Sequence, residues 1–142
     1  MGLDRDISKL VPDCREKVER FLYELNKAGI RAMVNEAVRS KEVQQAYFSQ
    51  GRESFETINK KRLAAGLWKI GPVEASKKIT WTMESKHIQG KAVDIVPVDE
   101  TGKPWWNAPP KVWEGIGIIG ENCGLKWGGR WKQKDLPHFE ID

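Results

Sequence analysis

A chain of 142 residues is one domain's worth and can bury a core without disulfides or a structural metal, so any metal it carries is expected to serve chemistry. Hydrophobic residues at 39% and charged residues at 31% exclude a disordered or fibrous chain, and no apolar run reaches a membrane-spanning length. A balance of 24 Lys and Arg against 20 Asp and Glu, without a long basic run, fits mild affinity for a polyanion such as an acidic wall polymer and equally an ordinary solvated surface. No nucleic-acid partner and no membrane insertion are expected, and the chain is read as a monomer. The start, Met1-Gly2-Leu3-Asp4-Arg5-Asp6, has no apolar stretch of signal-peptide type, which predicts synthesis in the cytoplasm. Val11, Cys14, Val18, Phe21, Leu22 and Leu25 then recur at helical spacing between Pro12 and Gly29. Ile30–Val34 reads as a short strand. Ser40 can cap a second helix that carries Val43, Ala46 and Tyr47 on one face and stops near Gly51. Residues 52–72 read as helix, broken at Gly71-Pro72. Ile79–Met83 and Ala92–Val98 read as strands. Pro109-Pro110 opens a third helix, with Val112, Trp113, Ile116, Ile119 and Cys123 inward and Gly124 behind it. Leu125–Trp127 and His138–Ile141 are the closing strands. The order predicts a single α+β domain over residues 1–142 with a small, mainly antiparallel sheet and flanking helices. Cys14 and Cys123 belong to no Cys-x-x-Cys pair and are read as two thiols, although a disulfide between them is compatible with the sequence.

The chain has only two histidines, His87 and His138, and each has an aspartate nearby. His87 and Asp94 are seven apart with Gly90 between them, so His87 can sit on a loop while Asp94 projects from the strand that follows. His138 comes from another strand. Two imidazoles and one carboxylate make an open three-ligand site, which suits zinc with a position left for water. Asp135, three residues before His138 and stiffened by Pro137, can take a proton from the attacking water and return it to a leaving amine. Arg39 is the candidate to stabilise the oxyanion. Gly115-x-Gly117-x-x-Gly120 matches a dinucleotide fingerprint but follows no strand, and is read as close packing of a helix on the sheet.

Ser85-x-His87-x-x-Gly90-x-Ala92-x-Asp94 resembles the S-x-H-x-x-G-x-A-x-D motif of the M15 zinc peptidases. Trp127-Gly128-Gly129-x-Trp131 with Asp135-x-Pro137-His138-Phe139, and Arg39-Ser40-x-x-x-Gln44 with Gly51-Arg52, are similar to the motifs of that family's endolysin-like branch. Together they span about residues 30–142. The resemblance implies the M15 fold, zinc on His87, Asp94 and His138, a catalytic carboxylate at Asp135, a transition-state arginine at Arg39, and Ser85 and Gln44 facing the substrate. It further implies cleavage of the peptidoglycan stem peptide, at the L-Ala–D-Glu bond, by a phage-type endolysin that acts on the wall after release. The alternatives are a D-Ala-D-Ala carboxypeptidase or dipeptidase, and a non-catalytic zinc-containing binding module. Two departures stand out: Arg130 lies where many members have an acidic or small residue, and residues 52–80 lack the usual Pro/Gly-rich stretch.

Overall fold

Helix α1 (Pro12–Lys27) forms where the spacing predicts it. Pro12 fills the first turn, where a missing N–H costs nothing, and Gly29 leaves the helix at φ 74. Cys14, Val18, Phe21 and Leu25 are its buried face. The computed structural model describes residues 3–142, so Met1 and Gly2 of the domain expected over 1–142 lie outside the described residues. No helix among the described residues is long and apolar enough to cross a membrane.

Strands β1 (Ala32–Glu36), β2 (Ala92–Pro97), β3 (Lys126–Trp127) and β4 (His138–Glu140) form one antiparallel sheet in the order β1-β2-β4-β3. The predicted α+β class is therefore borne out. Alternation along β2 sends Val93 and Ile95 into the main core with Phe139 of β4, and turns Asp94 and His138 to the other face. Helix α5 (Pro110–Asn122) packs on the core face, together with α1. Its Gly117 and Gly120 are buried against Trp127 and Phe139, as the packing reading of the glycine repeat requires. A Cβ at Gly120 would lie 2.5 Å from the Phe139 ring and 3.1 Å from that of Phe21. Gly120→Ala is thus expected to lower unfolding free energy by about 1–3 kcal/mol, even though alanine favours a helix by about 1 kcal/mol. Urea denaturation checks this, and a more stable variant would show that the rings yield freely.

The other face is framed by shorter helices. Helix α2 (Lys41–Ser49) begins at Ser40, whose Oγ accepts the Val43 N–H at 3.1 Å. The helix expected over 52–72 is shorter. Helix α3 (Phe55–Ala64) is capped by Ser54, and Gly71-Pro72 opens a one-turn helix α4 (Pro72–Ala75) rather than ending one. The strand expected at Ile79–Met83 does not form. The Gln44 amide donates to Thr82 O at 2.7 Å and to Thr80 Oγ1 at 3.2 Å, so a side chain satisfies a carbonyl that a neighbouring strand would otherwise pair. Cys14 and Cys123 are free thiols, and burial pushes Cys14 up to about 11.

Candidate metal centre

The turn before β2 presents His87. Ser85 Oγ accepts the His87 N–H at 3.2 Å, and Gly90 closes the turn at φ 71 with its α-carbon side packed on the backbone of Lys9–Val11. The buried His87 ring donates from Nδ1 to Ala37 O at 2.8 Å, because a carbonyl can only accept. That fixes the tautomer and turns the Nε2 lone pair toward Asp94 Oδ1, 3.2 Å away. Asp94 pairs with His138 across β2 and β4, which brings the second ring to the same carboxylate. His138 Nε2 meets Glu140 Oε1 at 2.7 Å, and Nδ1 faces Asp94 Oδ1 at 3.5 Å. One nitrogen of each ring therefore meets an orienting acceptor and the other faces Asp94 Oδ1.

His87, Asp94 and His138 each offer one ligand atom, and these atoms lie within 4.8 Å of one another. Facing lone pairs on neutral imidazole and carboxylate repel unless a proton or a cation lies between them. Burial disfavours charge on His138, but the hydrogen bonds to Asp94 and Glu140 outweigh it and raise the ring to about 9. Burial would likewise raise Asp94, but the charges and hydrogen bonds of His87 and His138 depress it well below the carboxylate range. A site that gathers positive charge this strongly, from two nitrogens and one carboxylate, fits a divalent ion of the zinc type.

Asp135 stands at the rim, its side chain 49% exposed and Oδ2 3.9 Å from His138 Nδ1. The chain is held there by Asp135 N–H donating to Gly128 O at 3.0 Å, and a Cβ at Gly128 would strike Asp135 O. Partial burial, then the charge of Asp94, raises the Asp135 pKa. Arg39 lines the same cleft as His87, Asp94, Asp135 and His138. Its Nε and Nη2 both donate to Glu36 Oε1, at 3.2 and 2.6 Å, and Nη1 donates to Gln44 Oε1 at 2.7 Å. The guanidinium also lies 4.8 Å from the Tyr47 ring centre.

The predicted residues are therefore brought together, with one correction. Gln44, expected to face the substrate, is fully buried, does not line the cleft, and bridges Arg39 to the 80–82 segment. Ser85 does line the cleft, while its Oγ shapes the His87 turn. Arg130, one of the two departures, pairs with Glu121 at 3.0 Å and stays outside the cleft lining. Two carboxylates escaped the sequence reading. Glu140 orients His138, and its position two residues farther along a strand was a usable signal for the same face. Glu36 anchors Arg39 from a bulge in β1 that leaves no mark in the local residue pattern. Glu140→Gln is expected to weaken metal binding about 10–100-fold, the usual worth of an orienting partner. A competition titration with a chelating dye measures it, and unchanged affinity would remove Glu140 from the site.

A family model described as D-alanyl-D-alanine carboxypeptidase, of the M15 peptidases, matches residues 78–141. The fold is shared with three solved structures. The Serratia marcescens L-Ala D-Glu endopeptidase ChiX is 22% identical, with a TM-score of 0.62 over 99% of this chain and 86% of that one. The LD-carboxypeptidase LdcB is 13% identical, with a TM-score of 0.60 over 99% of this chain, which spans 64% of LdcB. The D,D-pentapeptidase VanY, as an E175A mutant in complex with Zn(II), is 16% identical, with a TM-score of 0.53 over 98% of this chain and 72% of that one.

Proposed function

We propose that the chain, whose residues 78–141 match the M15 family model, is a peptidase of that family and hydrolyses the stem peptide of peptidoglycan at the L-Ala–D-Glu bond, as a zinc-dependent endolysin-type enzyme. The observation that carries the reading is the single cleft in which the His87–Asp94–His138 cluster, Asp135 and Arg39 meet. His87, Asp94 and His138 would hold the zinc. A bound zinc ion supplies Lewis-acid polarisation of the carbonyl and makes water acidic enough to react near neutral pH.

The chain's own groups do the rest. Asp135, at the open rim, takes the proton from attacking water and delivers it to the leaving amine. Arg39 stabilises the negative oxygen of the tetrahedral intermediate. Three of its five N–H donors are committed to Glu36 and Gln44, which holds the fork rigid and leaves two donors for the cleft. In this reading the enzyme is made inside the cell and meets the wall after release.

Mass analysis of peptidoglycan digested by the zinc-loaded enzyme tests the bond. Fragments with a new N-terminal D-Glu are expected. Free D-Ala would instead favour the D-Ala-D-Ala carboxypeptidase reading, which the description of the matching family model supports. Stoichiometric zinc with no cleavage of any fragment would favour a binding module.

A further inference from the structure

The cleft is larger than a peptide bond and its neighbours need. Its volume is about 1290 Å³, beyond the roughly 300–1,000 Å³ that encloses a drug-sized ligand. One wall comes from the segment between α3 and the His87 turn, where Trp68, Trp81 and Thr80 line the cleft with Glu74 and Glu84. Trp81 is 61% exposed and Trp68 is 58% exposed. Arg62 lies over Trp68, and Arg52 and Lys78 lie over Trp81, yet both indoles keep most of their surface in solvent. Large aromatic surfaces held open in a cleft mark a ligand contact rather than a fold contact.

We propose that this wall is a saccharide subsite, which binds the N-acetylated sugar to which the stem peptide is attached. The inference rests on the peptidoglycan reading above and names the substrate as glycan-linked peptide rather than free peptide. A pyranose ring shows weakly positive C–H hydrogens on its face and hydroxyls at its edge. An indole face is negative and flat and suits the first. Glu74, Glu84 and the Thr80 hydroxyl are acceptors for the second.

The charges around this wall are mixed: Glu74 and Glu84 line it, while Arg52 and Lys78 lie over Trp81, so it offers both acceptors and donors to the hydroxyls and acetamido group of a neutral sugar. Exposed Lys132 and Lys134, which line the same cleft from the loop before β4, are the complement for the anionic peptide. The wall is also fixed relative to the reaction. Thr80 and Thr82, on either side of Trp81, are both held by Gln44, which holds Arg39. With scission one residue from the sugar linkage, and about 3.5 Å per extended residue, the saccharide falls beside the metal cluster.

The test compares kcat/KM for one stem peptide, free and linked to its disaccharide. The zinc enzyme is expected to prefer the linked form by about tenfold, the upper worth of an aromatic contact. Trp81→Ala should bring the ratio of the two values close to one, and Trp81→Phe, which keeps a flat ring, should retain part of it. Equal values for the unaltered enzyme, or a preference that survives Trp81→Ala, would overturn the subsite. If neither substrate is cut, the peptidase reading fails separately. Saturation-transfer NMR with N,N′-diacetylchitobiose then decides the subsite alone: a signal lost in Trp81→Ala supports it, and no signal with the unaltered protein overturns it.

Discussion

His138→Ala is expected to empty the metal centre and abolish hydrolysis together. The residue offers one of the cluster's three candidate ligand atoms and lies at 6% exposure between Asp94 and Glu140. Losing it should weaken metal binding by more than about 100-fold, the most that an orienting partner alone is worth. Metal content by elemental analysis, read beside the release of soluble wall peptide, checks both halves. A variant that kept one equivalent of zinc would refute the ligand assignment. The substitution also takes from Asp94 and Glu140 the ring that each contacts, so Asp94→Asn serves as a second variant that removes charge instead of exposing it. In the unaltered protein, chelation should stop turnover and added zinc should restore it. Acid should compete with the metal as well. His138 in the metal-free site takes up its proton as pH falls through about 9, and only the neutral ring can bind.

Asp135→Asn should separate chemistry from metal binding. The side chain stands beside the cluster, without being one of its three ligands, and is half open to solvent. Asparagine keeps the shape and cannot accept the proton, so kcat should fall by about 10²–10⁴ while zinc stoichiometry and the urea midpoint stay unchanged. Full activity in this variant would transfer the general-base role elsewhere. The direction of the Asp135 shift has its own sign. A raised carboxyl pKa means that the group regains its proton at a higher pH than a free aspartate, so the acid limb of turnover in the unaltered enzyme owes part of its position to this residue.

The grouping of His87, Asp94 and His138 was legible because strand periodicity and a glycine turn leave few places for them to go. Alternation puts Asp94 on the face opposite Val93 and Ile95, and pairing of β2 with β4 brings His138 directly across. The same alternation misled at Ile79–Met83. Ile, Thr, Trp, Thr and Met suit a strand, but the segment pairs with no strand: Gln44 meets Thr82 O and Thr80 Oγ1, and the threonine hydroxyls bond locally. Gln44 itself was misplaced for a related reason. A polar residue in a motif reads as a substrate contact, whereas burial makes this one a brace whose two ends both need partners. Glu36 was invisible because its partnership with Arg39 depends on the bulge between Val34 and Glu36, which no local pattern announces.

The sheet order has a consequence for timing. Strand β4 lies between β2 and β3 although it follows both along the chain, so the sheet has an empty lane until β4 arrives. The strand that fills the lane is also the one that carries His138, with Asp135 just ahead of it. A ribosome therefore delivers α1, β1, β2 and α5 before it delivers Asp135 or His138, and the strand that completes the sheet is the one that completes the His87–Asp94–His138 cluster.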